Sequence, residues 1–205
     1  VNFVLQSGSV HALMGENGAG KSTLMKVIAG VHTADSGKVF LDNKEVEISS
    51  PAKARELGIA MIHQELSSEL EMSVAENIYL GREPGRFGMV DYRQLYHQTD
   101  ELLKNLGIHL NPRTKMKRLR VADQQMVEIA KAISQNARVV IMDEPTSSIT
   151  DKEVDNLFNM IRNLKSAGVG IIYISHKMDE IFQICDEMTI LRDGTYIDTF
   201  KASEV

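Results

Sequence analysis

The stretch VHALMGENGAGKST, residues 10 to 23, restricts the possible folds more than any other part of the chain. Val10 to Met14 is a short apolar run of strand type, and Leu24, Val27 and Ile28 continue as a helix stopped by Gly30. Between them Gly15, Gly20, Lys21 and Ser22 satisfy the pattern G-x-x-x-x-G-K-[ST]. Such glycines let backbone N–H groups turn inward around phosphate oxygens. Lys21 would then reach the β and γ phosphates, and the Ser22 hydroxyl can ligate Mg²⁺. A chance Gly-rich turn rarely carries both the strict pattern and its strand–loop–helix setting.

The rest of the chain repeats the alternation of strand and helix. Val39 to Leu41 and Val46 to Ile48 flank a turn at Asp42-Asn43. Ser50-Pro51 opens a helix closed by Gly58, and Ile59 to His63 is a second buried-type strand. Residues 73 to 135 read as mostly helical, with no convincing strand; Asp91-x-x-Gln94 starts one helix in capping-box style. Val139 to Met142 returns to sheet. Thr150-x-x-Glu153 caps the next helix, Ile171 to Ile174 is a strand, and residues 177 to 185 form a helix. Met188 to Phe200 is a hairpin turned at Asp193-Gly194. The expected fold is α/β, one domain with a mainly parallel sheet covered on both faces. Its core would comprise residues 1–72 and 136–205, with 73–135 inserted as a helical subdomain.

In parallel sheets chemistry collects at the C-terminal strand ends. The strand in VVIMDEP delivers Asp143 and Glu144 there, and adjacent carboxylates after a buried strand are costly without a task or partners. Asp143 suits a Mg²⁺ shell; Glu144 could orient and deprotonate an attacking water. A helix-capping role fits the pair poorly, since Pro145 follows at once and the next helix has its own cap at Thr150. IIYISH delivers His176 from a third strand of this sheet, where it can contact a γ-phosphate. IAMIHQE places Gln64 beyond a fourth, where a neutral amide can touch Mg²⁺ or the water.

Composition narrows the partners. A net charge of −5 on 205 residues argues against a general nucleic-acid binder, and the basic run Arg113 to Arg120 reads as a solvated face. No apolar run approaches the roughly 18 residues needed to span a bilayer. The single cysteine permits no internal disulfide, which fits a reducing cytosol. Cys185 lies on an expected apolar stripe with Met178, Ile181 and Phe182. The chain starts at Val1, inside an alternating strand-like run of Val1, Phe3 and Leu5, and is expected to be a piece of a longer protein.

GENGAGKST, IHQE, VVIMDEPTSSIT and YISH, in this order and at these separations, resemble the nucleotide-binding domain of ABC transporters, a P-loop NTPase (RecA-like) core with a partial antiparallel β region. HALMGENGAGKSTLMKV, AENIYLGREP, QQMVEIAKAI and ISHKMDEIF are similar to the sugar-import ATPases of the ribose, galactose and xylose type. The resemblance implies a Walker A cradle for ATP made of Gly15, Glu16, Asn17, Gly18, Ala19, Gly20, Lys21, Ser22 and Thr23. It implies Mg²⁺ ligation by Ser22, Gln64 and Asp143, and catalysis by Glu144, His176, Gln64 and Lys21. Ser147 to Asp151 would be the D-loop. It further implies a peripheral place on the cytoplasmic face of the membrane, against transmembrane permease subunits whose coupling helix enters the helical block, with a periplasmic or extracellular sugar-binding protein as an indirect partner. Such importers are commonly fused pairs of these domains, so a second ATP-binding domain is implied, and this chain would be the N-terminal one. The aromatic residue that stacks on adenine in the family would precede Val1.

One stretch departs from the family. LSGGQ or a close variant is expected at a helix N-terminus just before QQMVEIAKA, where it grips the γ-phosphate held by the other domain. Here the residues are Leu119, Arg120, Val121, Ala122 and Asp123. Arg120 replaces a serine, and Ala122 a glycine with access to positive φ. The impairment would fall on the partner's ATP. Three functions follow: an ATPase energising sugar import, a regulatory module that closes on ATP with little turnover, or a soluble ABC-type protein. Intact Glu144 favours the first over the second; the acidic balance and sugar-type segments disfavour the third.

Overall fold

The computed structural model describes residues 1–63, 68–86 and 88–204. Its elements follow in chain order: β1 Val10–Met14, α1 Lys21–Ile28, β2 Val39–Leu41, β3 Lys44–Val46, α2 Pro51–Glu56, β4 Ile59–Ile62, α3 Val74–Ile78, β5 Gly85–Arg86, β6 Met89–Val90 and α4 Tyr92–Asn105. Then come α5 Val121–Ser134, β7 Val139–Asp143, α6 Asp151–Ser166, β8 Gly170–Ile174, α7 Met178–Ile184, β9 Glu187–Arg192 and β10 Thr195–Lys201.

Six strands form the main sheet in the order β10-β9-β1-β8-β7-β4. All neighbours are parallel except β10, which folds back antiparallel on β9. Side-chain alternation divides the core into two layers. Val10, Ala12, Val140, Met142, Ile171 and Tyr173 face one layer, with α5 and α6. Leu13, Ile141, Ile172 and Ile174 face the other, with Met25 of α1 and Ala54 of α2. Near-continuous apolar strands are what a sheet covered on both faces requires. Leu13 pairs with Ile174, and Ile174 with Asp143, so β1, β8 and β7 end level with one another. Every strand of this sheet comes from Val10–Ile62 or Val139–Lys201.

Local chemistry fixes the element ends. Ser50 caps α2 through its side chain, with Pro51 at the first helical position. Ser73 with Glu76, and Thr150 with Glu153, close reciprocal capping boxes at α3 and α6. Asp42 and Asn43, and Asp193 and Gly194, both adopt positive φ, the geometry of tight two-residue hairpins.

Several expectations need correction. Val1, Phe3 and Leu5 form no strand: Phe3 and Leu5 pack against the second core layer, but the segment has no ladder partner. The strand after Asp42-Asn43 begins at Lys44 and ends at Val46, because the tight turn sets the register. The 73–135 block holds a short hairpin, β5 with β6, where Gly85 lets the strands approach: a Cβ there would lie 2.1 Å from the Met89 carbonyl oxygen. The stripe around Cys185 is only half apolar contact. Ile181 and Cys185 are buried, whereas Met178 and Phe182 point to solvent, because α7 is short and only one side of it meets the sheet. Burial pushes the Cys185 thiol up to about 12, so it is inert at neutral pH. The basic run is a surface feature held by neighbours: Lys115 and Lys117 pair with Glu71, and Arg113 stacks on Tyr96 at 4.4 Å.

Candidate active site

The loop that follows β1 borders a cavity of about 440 Å³, which lies at the C-terminal ends of β8 and β7. Asn17 to Thr23, Asp143, Glu144 and Ile174 line it. Gly15 has φ +148 and Gly18 and Gly20 have φ +85 and +94, backbone values that side chains resist. Gly20 is also the N-cap of α1, so the unpaired N–H groups of that helix open toward the cavity. Lys21 Nζ donates to the carbonyl oxygens of Gly15 at 2.6 Å and Glu16 at 3.0 Å, which holds its charge against the loop. Ser22 and Thr23 are exposed at the cavity wall.

Asp143 ends β7, half-buried. Burial raises its carboxyl above the ordinary range, the Glu144 charge adds to this, and His63, Lys21 and Lys26 oppose it. A desolvated carboxylate beside a second one is relieved by a cation. Among the described residues no group of three or more His, Cys, Asp or Glu side chains could hold a metal unaided. Ser22 and Asp143 line the same wall and supply hard oxygen donors, which fits a Mg²⁺ that also binds phosphate.

Glu144 is one of few non-glycine residues with positive φ, at +46. Its N–H donates to the Ile174 carbonyl at 2.9 Å, and its own carbonyl accepts from Ser147 N–H at 3.2 Å. Those two bonds hold a conformation that costs about 1–2 kcal/mol. The bend brings Glu144 Oε1 to 3.1 Å from His176 Nδ1. Lys21, Ser22, Asp143 and Glu144 thus line one cavity, with His176 joined to it through Glu144. Gln64, predicted beside them, lies outside the described residues.

At the variant stretch, Arg120 is the N-cap of α5 and its side chain makes no capping bond. Ala122 is buried inside the first turn of α5, in helical rather than left-handed backbone, so positive φ is not needed there. Arg120 lies near enough to α6 to add to the lowering of the Glu153 carboxyl, which comes first from the Thr150 hydrogen bonds.

Sequence reading missed a further set. Glu180, buried on α7, accepts hydrogen bonds from Thr146, Tyr173 and Ser175 and pairs with Lys177. Tyr173 on β8 and Ser175 just past its end lie two residues apart, the strand period, and Glu180 follows His176 by about one helical turn. That spacing was the available signal.

This geometry, a glycine cradle on β1 facing paired acids on β7 across an intervening β8, is that of an ATP-binding cassette. The family model described as ABC transporter matches residues 1–147. A putative ribose/galactose/methyl galactoside import ATP-binding protein of Agrobacterium fabrum is 53% identical over all of this chain, and a galactose/methyl galactoside import ATP-binding protein of Photobacterium profundum is 56% identical over 98% of it. The chain spans 40% and 41% of those curated relatives' lengths. Among solved structures, cbiO1 of Clostridium perfringens, part of an ABC transporter complex, superposes with a TM-score of 0.84 at 25% identity, covering 100% of this chain and 81% of that one. An ATP-binding cassette crystallised in its ADP conformation gives 0.84 at 27% identity, covering 100% of this chain and 84% of its own. The chain belongs to the ABC transporter family, with the P-loop NTPase fold of its ATP-binding domains.

Proposed function

We propose that this chain is the ATP-binding and ATP-hydrolysing part of an importer that couples MgATP binding and hydrolysis to carbohydrate uptake. One observation carries the proposal: Glu144 is bent out of the sheet toward His176, beside Asp143 and facing the Gly15–Thr23 cradle. The sugar class comes from the relatives, whose names specify ribose, galactose and methyl galactoside import.

In this reading the loop N–H groups and Lys21 hold the β and γ phosphates. Ser22, Asp143 and Gln64 would hold Mg²⁺, which would supply positive charge to the phosphate oxygens. Glu144 accepts the proton of the attacking water as its oxygen bonds to the γ-phosphorus and ADP departs. His176 orients Glu144 and contacts the γ-phosphate. Residues 73–135 act as a helical subdomain on a core of 1–72 and 136–205. The partners are a second ATP-binding domain, fused as a C-terminal half, with its partner copy; permease subunits at the cytoplasmic face; and indirectly a sugar-binding protein. No nucleic acid is involved. No helix among the described residues is long and apolar enough to cross a membrane.

The test is uptake. Deleting the encoding gene should abolish transport of labelled ribose, galactose or a related sugar by the parent cells, and unchanged uptake of all of them would contradict the proposal.

Arg120 gives a second prediction. Serine at this N-cap would bond the first-turn N–H groups that Arg120 leaves free, so Arg120→Ser should stabilise the domain by about 1 kcal/mol. Arg120→Ser with Ala122→Gly should raise turnover at the partner's site, the gain coming from Arg120. Glycine at the buried Ala122 position costs about 1 kcal/mol of helix stability without a conformational need. Phosphate release by the assembled transporter, together with thermal melting, checks both parts; no change in either would make Arg120 an inert surface residue.

A further inference from the structure

The carboxylate of Glu180 is buried, and three hydroxyls meet on its Oε2: Tyr173 at 2.8 Å, Thr146 at 2.9 Å and Ser175 at 3.2 Å. Lys177 Nζ lies 3.0 Å from Oε1 and also reaches the Thr146 carbonyl and hydroxyl at 3.4 and 3.3 Å. Lys177 N–H donates to Ser175 Oγ at 3.1 Å. Tyr173, Thr146 and Ser175 are themselves buried. A buried carboxylate is costly unless its lone pairs are filled, and here they are filled from three separate segments.

The partners occupy particular places. Thr146 stands two residues after Glu144, inside the turn closed by the Ser147 N–H to Glu144 carbonyl bond. Ser175 immediately precedes His176. Tyr173 pairs with Met142 across the β7–β8 ladder, one register step before Asp143 and Ile174. Glu180 therefore ties down the backbone on both sides of the 3.1 Å contact between Glu144 and His176. The backbone bond from Glu144 N–H to the Ile174 carbonyl fixes the start of one loop, and Glu180 adds a side-chain tie to the buried Thr146 and Ser175 that follow Glu144 and precede His176.

We infer that Glu180 is the positioning residue of this site: its buried carboxylate sets the placement of Glu144 against His176 by joining Thr146, Ser175 and Lys177. The inference rests on the hydrolysis reading above for what Glu144 and His176 do. Glu180 touches no reacting atom. Its contribution is the geometry of a pair whose misplacement by about 1 Å can cost on the order of a hundredfold in rate.

The experiment uses the full-length protein assembled with its permease. Glu180→Gln keeps the length of the side chain but loses the Lys177 pair and the charge that gathers the hydroxyls. Expected is a fall in kcat of about tenfold or more with KM for MgATP within about twofold, since the cradle is untouched. Glu144→Gln with Glu180→Gln should be no slower than Glu144→Gln alone, because a residue acting through Glu144 has nothing left to position. A native kcat in Glu180→Gln, or multiplicative losses in the double variant, would overturn the inference. Should Glu180→Gln fail to fold, Thr146→Val, of nearly equal volume, reads the same link with the same expected split. A readout independent of turnover uses the nucleotide-free full-length protein with labelled histidines: Glu180→Gln should move the His176 ring signals and leave those of exposed His97 on α4 in place. If the native assembly does not hydrolyse ATP, the function proposal fails, and the His176 signals then decide this inference alone: unmoved signals reject it.

Discussion

Gly15→Ala is expected to destabilise the domain by about 2–4 kcal/mol and to weaken MgATP binding by tenfold or more. The new Cβ would lie 2.3 Å from the Leu191 carbonyl oxygen and 2.9 Å from Ala19 Cβ, at a φ of +148. Leu191 belongs to β9, which pairs with both β1 and β10, so that carbonyl cannot yield as a flexible side-chain tip would. Either the loop moves, which displaces the N–H groups proposed to hold phosphate, or the sheet is distorted. Gly18→Ala is the control. Its Cβ meets nothing within 4 Å, so only the cost of positive φ remains, about 1–2 kcal/mol. Urea midpoints at unchanged slope measure the stability part, and equilibrium titration with MgATP the binding part. Equal effects of the two substitutions would mean that the Leu191 contact does not shape the loop.

Leu191 also marks where sequence reading stops. The pattern around Gly15 and Lys21 announces a phosphate loop because glycines, lysine and hydroxyl have fixed tasks at fixed spacing. That Gly15 is packed against a strand some 175 residues later depends on sheet order, which no local pattern contains. Asp143, Glu144 and His176 were legible because each closes an apolar strand, and parallel strands deliver their C-terminal residues to one edge. The 3.1 Å contact between Glu144 and His176 was not, since it depends on a left-handed bend at a residue that ordinarily avoids one. Val1, Phe3 and Leu5 show the reverse error. Their alternation is matched by real half-burial of Phe3 and Leu5, but a strand also needs a partner edge, and periodicity is blind to that. At Ala122 the resemblance to a glycine-bearing motif suggested a special backbone, while the chain continues there as ordinary helix.

Glu144→Gln should produce the largest loss of activity. The substitution keeps shape and an oxygen facing His176 but removes the group proposed to take the water's proton. The rate of hydrolysis is expected to fall on the order of a hundredfold or more. Binding should persist or tighten: Glu144 lines the same cavity as the phosphate cradle, so the amide keeps the shape and removes a negative charge that would repel the γ-phosphate. This split separates a base from a structural acid, whose loss would weaken binding and stability together. The most direct measurement is phosphate release from MgATP by the full-length protein assembled with its permease, native against Glu144→Gln, with bound nucleotide counted in both. The account predicts steady turnover by the native assembly and a variant that holds MgATP while releasing phosphate at least about a hundredfold more slowly. Equal rates in the two would contradict it.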